Sequence, residues 1–431
     1  MNYIFFAIVL VSFVTAGWQQ VTGVSLEGVT SPMERLSEAM VKSAGSSVEL
    51  AIGLIGVMTL FLGLMKVAEE GGMLTILARL IRPVMVRLFP DVPAEHPAMG
   101  AMILNMSANA MGLGNAATPF GIRAMQELDK LNPQPGTATN AMALFLAINT
   151  SSVPLLPTGV IALRAAAGSQ DPAGILPTTL FATICSTIAA IIAAKMYQRF
   201  FPLRVAVHAT PASGDSSSAA ADESGESPQQ IDSYPLWVSM FALACLITLI
   251  PVTVLFGRQI SPWVIPGLML GFLTFGVARG VHIYEVFVEG AKEGFQVAVK
   301  IIPYLVAILV AVGMLRASGA LEAMVGWLGK WTAYVGLPAE ALPMALLRPL
   351  SGSGAYGVLA SIIEDPTIGP DSYTGYLVST LQGSTETTFY VLAVYFGAVQ
   401  VRRIRHALAA ALTADLVSVM AAIAICAFLY G

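Results

Sequence analysis

Two polar, glycine-rich stretches interrupt a sequence that is otherwise apolar enough to lie in a membrane. Residues 105–118 form the first stretch and residues 348–354 the second. A shorter polar cluster follows each of them, at residues 149–152 and 382–388. Polar backbone at membrane depth is tolerated only where protein buries it or where it lines a cavity. The four stretches therefore predict a binding site inside the membrane.

The side chains of these stretches offer hydrogen-bond donors and acceptors with little net charge. Amides and hydroxyls do both, which suits a neutral or singly charged solute such as a nucleoside, a sugar or an amino acid. The alternative is that they cap helix ends and bond the backbone groups that a broken helix leaves free. The candidate substrate-binding residues are Asn105, Ser107, Asn109, Asn115, Asn149, Thr150, Ser151, Arg348, Ser351, Ser353, Gln382, Ser384, Thr385 and Glu386.

Arg348 and Glu386 are the ionisable residues in these stretches. A charge at the centre of a membrane helix costs about 2.5–3.5 kcal/mol on insertion scales, so such groups usually pair or face a cavity. Two compatible interpretations stay open. Either the two side chains bond each other and brace two broken elements, or one or both contact a polar ligand or relay a proton. Asp415, in the last apolar segment, is either a third intramembrane charge or a snorkelling or packing residue.

The composition places the whole chain in a membrane. Of its 431 residues, 56% are hydrophobic and 11% are charged, against roughly 25% charged residues in a soluble domain. The net charge of −4 argues against nucleic acid as a partner. The three cysteines lie in apolar segments without metal-ligand spacing, and no histidine lies in a polar cluster to act as a base. We therefore expect no metal, no cofactor and no catalytic residue.

The apolar segments predict an all-α polytopic membrane protein. Residues 3–17 are interpreted as a retained first span, with a signal peptide as the alternative. Two amphipathic helices are expected at residues 72–89 and 318–334. The polar segments 98–114 and 339–362 fit re-entrant or broken helices. About nine full spans are predicted, at residues 3–17, 47–66, 137–164, 175–199, 234–256, 262–278, a segment ending near 316, 374–400 and 407–429.

The two halves of the chain contain the same order of predicted elements. A segment rich in Ser, Ala and Pro at residues 205–233 predicts a disordered linker, which divides the chain into halves at 1–204 and 234–431. Each half has a span that ends in a Gly-x-x-Lys/Arg group, Lys66 in the first and Arg316 in the second. With four spans predicted in the first half and five in the second, the Lys66 end faces the cytoplasm and the Arg316 end faces out. The two halves are therefore predicted to be inverted repeats, an arrangement that recurs in transporters.

Basic residues set the predicted orientation. Arg199 and Arg204 follow the fourth span, and Arg402, Arg403 and Arg405 precede the last one. Basic loops favour the cytoplasmic side. We therefore expect a multi-pass protein of the bacterial inner membrane with the N-terminus and the linker in the cytoplasm and the C-terminus outside.

The motifs themselves resemble those of a known family. Asn105-Met-Ser-Ala-Asn109 is similar to spore maturation protein A, and Arg348-Pro-Leu-Ser-Gly-Ser-Gly354 and the run from Gln382 to Gly397 are similar to spore maturation protein B. The chain looks like a fusion of the two. The resemblance implies membership of the nucleoside-recognition, or Gate, domains, which also occur in concentrative nucleoside transporters and in ferrous iron transport protein B. It implies a role in membrane transport or gating.

These observations predict a secondary transporter of a small polar solute that binds between the two polar broken-helix regions. The alternative is a lipid flippase, or a scaffold or regulator of the cell envelope that transports no solute. A purely structural membrane module is a third possibility. The expected partners are the solute and membrane lipids, and formation of a homo-oligomer is left open.

The orientation can be tested by cysteine labelling. A cysteine placed in the 205–233 linker should not react with a membrane-impermeant maleimide added to intact cells, because the linker is expected in the cytoplasm. The same cysteine should react once the membrane is permeabilised. Labelling in intact cells would overturn the predicted topology.

Overall fold

A computed structural model describes residues 2–23, 31–151, 154–202 and 234–431. The predicted linker at 205–233 lies outside the described residues. The side chain of Asn115 is also outside the described part, although its backbone is helical. The described residues form sixteen α-helices and three short 3-10 helices, and they contain no strand. This confirms the all-α fold predicted from the sequence.

The helices have the following bounds. The first half contains α1 (Asn2–Thr22), α2 (Pro32–Glu70), α3 (Met73–Leu88), α4 (Pro97–Ala110), α5 (Gly114–Lys130), α6 (Asn140–Thr150), α7 (Thr158–Ala166) and α8 (Leu176–Tyr197). The second half contains α9 (Leu236–Ala278), α10 (Ile283–Ala317), α11 (Ala320–Thr332), α12 (Leu342–Leu347), α13 (Gly352–Ile363), α14 (Tyr373–Ser384), α15 (Thr388–Ala398) and α16 (Ala407–Tyr430). The 3-10 helices are Pro172–Ile175, Ala333–Val335 and Ala339–Ala341.

Helix α2 shows how the local sequence fixes an element. The Ser31 hydroxyl accepts from the Glu34 backbone N–H at 3.3 Å, and the Glu34 carboxylate accepts from the Ser31 N–H at 3.4 Å. This capping box satisfies two backbone donors at the start of the helix. The helix then continues for 39 residues, or about 58 Å at 1.5 Å per residue. It therefore extends beyond the predicted span at residues 47–66 in both directions.

Several described helices are long and apolar enough to cross a membrane. They are Phe5–Thr22, Pro32–Glu70, Pro172–Tyr197 and Ala407–Tyr430. Together with the shorter apolar helices they identify a multi-pass membrane protein. The count of nine full spans stays a prediction.

Four predicted spans differ in continuity from the helices observed. Residues 137–164 and 374–400 are not continuous helices, because each is divided into a pair, α6 with α7 and α14 with α15. In the first pair the prolines at 154 and 157 remove backbone donors and end the helix. Conversely, the spans predicted at 234–256 and 262–278 form the single helix α9.

Two long helices, α2 of the first half and α10 of the second, pack against each other through glycines. Gly294 of α10 lies against the backbone of Thr59, and Gly313 lies against Ser43. Position numbers fall along α2 as they rise along α10, so the two helices are antiparallel. Because α2 and α10 are the equivalent helices of the two halves, their antiparallel packing is the geometry of an inverted repeat.

The last helices of the two halves, α8 and α16, repeat this relationship. The Ser186 hydroxyl of α8 donates to the Ala414 carbonyl at 3.0 Å, and the Tyr430 hydroxyl donates to the Gly174 carbonyl at 2.7 Å. These helices are therefore antiparallel as well. Both large hydrophobic clusters contain residues of both halves. The inverted repeats predicted from the sequence thus form one packed body.

A buried arginine ties the first half to the second. The Arg164 side chain, at the end of α7, is 0% exposed. It donates to the Asp371 carboxylate at 2.9 Å and to the Pro370 carbonyl at 2.5 Å, and its guanidinium lies 4.3 Å from the centre of the Tyr376 ring. These contacts hold the end of α7 against the start of α14. Loss of the Asp371 carboxylate, which is itself partly exposed, would leave the buried Arg164 guanidinium without its charged partner and should destabilise this junction.

The corresponding junction in the other half uses different contacts. The Ala138 N–H, just before α6, donates to the Arg403 carbonyl at 2.9 Å. The Arg405 guanidinium donates to the Ala138 carbonyl at 2.9 Å. The segment after α15 is thereby fixed to the segment before α6. Each broken helix pair is held by the other half of the chain.

The α2–α10 contact can be tested with two glycine substitutions. A Cβ at Gly294 would lie 2.7 Å from the Thr59 Cα, whereas a Cβ at Gly56 has nothing within 4 Å. Gly294→Ala should therefore destabilise the protein by about 1–3 kcal/mol through overpacking. The control Gly56→Ala should be neutral or should stabilise the helix by up to about 1 kcal/mol. Thermal unfolding in detergent measures both, and equal behaviour would contradict this packing.

Candidate functional site

The four polar stretches all lie at helix breaks. Residues 111–113 separate α4 from α5, residues 151–157 separate α6 from α7, residues 348–351 separate α12 from α13, and residues 385–387 separate α14 from α15. We call these breaks 1 to 4 in chain order. The expectation of broken helices at 98–114 and 339–362 is confirmed, and breaks 2 and 4 extend it to the two segments predicted as continuous spans.

The breaks bond one another through their backbones. The Leu155 N–H of break 2 donates to the Ala110 carbonyl beside break 1 at 2.9 Å. In the other half, the Phe389 N–H beside break 4 donates to the Pro349 carbonyl of break 3 at 3.0 Å. These two bonds occupy corresponding positions of the repeats. They satisfy backbone groups that a membrane would leave without partners.

One further bond joins the two halves where they meet. The Glu386 N–H of break 4 donates to the Thr150 carbonyl, at the end of α6, with a distance of 2.8 Å. Breaks 2 and 4 therefore come together. Break 1 bonds break 2, and break 3 bonds break 4, so the four breaks are linked in the order 1, 2, 4, 3.

A cavity of about 240 Å³ lies at this meeting point. Every break contributes to its wall. The lining residues are Asn109, Gly112, Pro154, Leu156, Pro157, Thr158, Gly159, Val160, Arg348, Gly352, Tyr356, Gln382, Gly383, Thr385 and Glu386. The cavity lies between the two polar regions, where the sequence analysis expects the site.

Arg348 bonds the neighbouring break. One Nη donates to the Thr387 hydroxyl at 3.1 Å and the other donates to the Thr385 carbonyl. In the described part of the chain Arg348 forms no ion pair with Glu386, so the direct pairing considered from the sequence is wrong. The reason is that break 4 turns its backbone carbonyl towards the guanidinium while the Glu386 carboxylate is exposed. Arg348 still braces two broken elements, as that interpretation required.

Three side chains of the cavity keep groups available for a ligand. The Glu386 side chain is exposed and lines the cavity. The Gln382 Oε1 and the Arg348 Nε are buried and have no hydrogen-bond partner among the described residues. A buried polar group without a partner costs about 1–3 kcal/mol, so a ligand that bonds it recovers that energy. The cavity thus presents acceptors and a donor together.

Three asparagines of the first half, at positions 105, 109 and 149, form a network beside the cavity. The Asn109 amide donates to the Asn149 Oδ1 at 2.9 Å, and the Tyr395 hydroxyl donates to the same oxygen at 3.3 Å. The Asn105 amide donates to the Tyr395 hydroxyl at 3.1 Å and to the Ala117 carbonyl at 2.7 Å. Only Asn109 of this group lines the cavity. Asn105 and Asn149 lie behind it and hold α15 against the first half.

The remaining candidate residues that the structure describes serve the backbone or lie away from the cavity. Ser107, Thr150 and Ser151 bond carbonyls one turn earlier in their own helices, and Ser351 caps α13 by accepting from the Gly354 N–H at 3.1 Å. Ser384 bonds Ser418 at 2.9 Å. Ser353 is exposed and does not line the cavity. Of the fourteen candidates, the lining residues are Asn109, Arg348, Gln382, Thr385 and Glu386.

The structure adds residues that the sequence analysis did not select. Tyr356 lines the cavity and its hydroxyl donates to the Gly159 carbonyl at 2.6 Å. Thr158 lines it at the start of α7. The proline at 157 indicates a helix break at that wall of the cavity. Tyr356 lies in an apolar helix, where no sequence pattern marks it. Asp415 lies behind the cavity, where its Oδ2 accepts from the Thr388 hydroxyl at 2.7 Å, so it is buried and does not snorkel.

The charges that line the cavity nearly cancel. Arg348 contributes one positive charge and Glu386 one negative charge, and the other polar groups are neutral. Within the described ranges, no group of three or more His, Cys, Asp or Glu side chains is placed to hold a metal ion. The arrangement can bind a neutral or zwitterionic solute by hydrogen bonds, and it has no base paired with a nucleophile.

A larger cavity of about 440 Å³ adjoins the first. The two share Gly112 and Thr158 in their walls. The larger cavity continues along α2 and α10, where Lys66, Glu69 and Glu293 line it. The larger cavity therefore leads from charged groups near the ends of these two helices, past apolar side chains, to the meeting point of the breaks.

The fold and the cavity define a class, namely membrane proteins of two inverted repeats with broken helices that meet at a central site. The chain belongs to the Gate family, described as nucleoside recognition, whose family model matches residues 51–167 and 298–402. This confirms the family resemblance seen in the sequence motifs.

Two curated proteins of Bacillus subtilis (strain 168) are similar to the chain. Spore maturation protein A is 46% identical over 160 residues, which cover 37% of this chain and 82% of that protein. Spore maturation protein B is 47% identical over 167 residues, which cover 39% of this chain and 93% of that protein. Among solved structures, the YdaH transporter of Alcanivorax borkumensis matches with a TM-score of 0.44 and 16% identity, over 99% of this chain and 97% of that one.

The asparagine network can be separated from the cavity by a tyrosine substitution. Tyr395→Phe removes a hydroxyl that bonds both Asn105 and Asn149 and should lower the free energy of unfolding by about 1–2 kcal/mol. Tyr390→Phe, on the same helix, is the matched control because that side chain is 56% exposed. Chemical or thermal unfolding compares the two. A Tyr395→Phe protein as stable as the control would show that the network does not hold α15.

Proposed function

We propose that this protein is a secondary transporter of a small polar solute of the nucleoside type. The observation that carries the proposal is the cavity at which all four helix breaks meet. Breaking a membrane helix exposes backbone groups and is costly, so four breaks that converge on one cavity indicate a binding function. Membership of the nucleoside-recognition family supports the choice of solute class.

The size of the cavity supports a small ligand. Pockets for drug-sized molecules measure about 300–1,000 Å³, and this one measures about 240 Å³. Its walls combine acceptors, at Glu386 and Gln382, with donors at Arg348 and Asn109. A nucleoside carries both a base edge and sugar hydroxyls, which match such a mixture.

The two ends of the cavity differ in a way that fits alternating access. On one side the larger cavity leads towards Lys66. On the equivalent side of the other repeat, α13 packs closely on α10, with a Cβ at Gly357 only 2.7 Å from Ile308. The Arg316–Asp365 ion pair at 2.9 Å fastens the ends of these helices. An inverted-repeat transporter open to one side has this asymmetry.

The counterpart of α13 in the first half makes other contacts. Helix α5 packs on α4 and α15, whereas α13 packs on α10 and α14. The space beside α2 that α5 does not fill forms part of the larger cavity. If the solute crosses by exchange of these two arrangements, α5 would close on α2 as α13 opens from α10.

The proposal includes the organisation expected from the sequence. The halves at 1–204 and 234–431 each contribute one repeat, and the 205–233 segment joins them in the cytoplasm. The protein would lie in the bacterial inner membrane, with the C-terminus outside and membrane lipids around it. On this proposal the protein moves its solute without catalysing a reaction.

Solute binding can be tested by thermal shift of the purified protein with a panel of nucleosides, starting with uridine, adenosine and inosine. Bound solute at about 100 times its Kd adds about 2.7 kcal/mol of stability. Glu386→Gln removes the exposed acceptor and Arg348→Ala removes the donor that braces break 4, so both should weaken binding at least about tenfold if each contact contributes 1.4 kcal/mol or more.

Glu285→Gln provides the matched control, because Glu285 is exposed at the start of α10 and does not line either cavity. It should bind like the wild type. Far-ultraviolet circular dichroism and gel filtration establish that each variant is folded. Unchanged binding in both folded cavity variants would remove Arg348 and Glu386 from the mechanism, and a lipid in place of a nucleoside as the stabilising ligand would favour a flippase.

A further inference from the structure

A buried carboxylate lies in the last membrane helix without a full set of partners. Asp415 of α16 is 7% exposed. Its Oδ2 accepts from the Thr388 hydroxyl at 2.7 Å, while its Oδ1 has no hydrogen-bond partner in the described part of the chain. Burial of an ionised carboxylate is expensive unless it is paired and hydrogen-bonded. A proton on the carboxylate removes that cost.

Asp415 is connected directly to the wall of the solute cavity. Thr388, its hydrogen-bond partner, is the first residue of α15 and follows break 4 immediately. Break 4 carries Glu386 into the cavity and bonds the Arg348 guanidinium. The charge of Asp415 also attracts Arg348, as does the charge of Glu386. The arginine is therefore shared between a carboxylate in the cavity and one behind it.

Among the described groups near Asp415, the charged neighbour is Arg348. The helices that pack on α16 are α6, α8, α14 and α15. Of these, only α8 carries a charged residue, Lys195, and its side chain is exposed. Their other titratable residues are Cys185 and Tyr197 on α8, Tyr373 and Tyr376 on α14, and Tyr390 and Tyr395 on α15. Nearby hydroxyls come from Ser186, which bonds the Ala414 carbonyl, and from Ser418.

We propose that Asp415 is the proton-binding site that couples transport to the proton gradient. The carboxylate takes up one proton from water on one side of the membrane, becomes a neutral carboxylic acid, and returns the proton to water on the other side. No other bond forms or breaks apart from hydrogen bonds. This inference rests on the transport function proposed above and names its coupling ion.

The geometry indicates how protonation would act on the site. When Asp415 is ionised, two carboxylates attract Arg348, and break 4 is held through Thr385 and Thr387. When Asp415 is neutral, the attraction from behind the cavity is lost and Arg348 interacts with Glu386 and the solute alone. A solute that hydrogen-bonds Arg348 then binds more tightly when Asp415 is neutral. By linkage, bound solute favours the protonated form of Asp415.

The proton site can be detected without a transport assay. Infrared difference spectra of the full-length protein in lipid vesicles, recorded as the pH falls from about 8 to about 5, report the C=O band of a newly formed carboxylic acid. The wild type should gain a band of a buried acid. Asp415→Asn should lack that band, because the amide cannot take up the proton and still accepts from Thr388. Asp415→Glu should restore it at a shifted frequency.

Asp91→Asn is the matched control, because Asp91 is an exposed aspartate outside the helices. It should keep the buried-acid band. Identical spectra for the wild type and Asp415→Asn over the whole range would overturn the proposal. So would loss of the band in Asp91→Asn together with its retention in Asp415→Asn.

A transport measurement then tests the coupling. Vesicles that contain the wild type should accumulate labelled uridine about tenfold for each unit of an inward proton gradient, if one proton moves per solute. Asp415→Asn should still exchange labelled for unlabelled uridine, but it should not accumulate it. Gradient-driven accumulation by that variant would overturn the coupling role. If the wild type does not take up uridine, the proposed function fails for that solute, and the infrared result alone decides whether Asp415 binds a proton.

Discussion

The structure depends on one constraint, which is that a helix broken inside a membrane must find new partners for its backbone. This chain meets the constraint by letting the breaks bond each other. Leu155 bonds the carbonyl beside break 1, Phe389 bonds the carbonyl of break 3, and Glu386 bonds the end of α6. No break is satisfied by its own helix alone. The cavity is the space that remains where four mutually bonded breaks meet, so the site follows from the same bonds that make the fold possible.

The two repeats give the helical frame its symmetry, whereas the residues that line the site differ between the repeats. The pairs α2–α10 and α8–α16 are antiparallel, and close glycine contacts let α2 and α10 approach. At the breaks, the first half offers the amide of Asn109 where the second offers the guanidinium of Arg348. On the proposed transport function, a symmetric frame with an asymmetric lining would let two conformations be similar in energy while the solute is bound mainly through one half. The second half is therefore where the charge chemistry is concentrated.

The sequence allowed the frame to be predicted better than the lining. The capping box at Ser31, the inverted order of elements and the positions of the polar stretches are local signals, and the structure contains all of them. Whether a polar side chain faces a cavity depends on which distant helix packs beside it. No local sequence pattern contains that information. Ser107 and Thr150 bond their own helices for this reason. No local pattern marks Arg164 as a contact between the halves, because its partner, Asp371, lies 207 positions away.

That long separation has a consequence for how the protein is made. Arg164 enters the membrane well before Asp371 is synthesised, and at roughly 5–20 residues per second the delay is on the order of 10–40 seconds. During this interval Arg164 lacks its carboxylate partner, and the Thr150 carbonyl beside break 2 lacks the Glu386 N–H that it accepts from in the folded protein. Nascent chains must therefore be held by the insertion machinery, or by lipid headgroups and water at the interface, until the second half arrives. Membrane insertion, as much as binding, therefore favours a protein whose two halves are synthesised together in equal amounts.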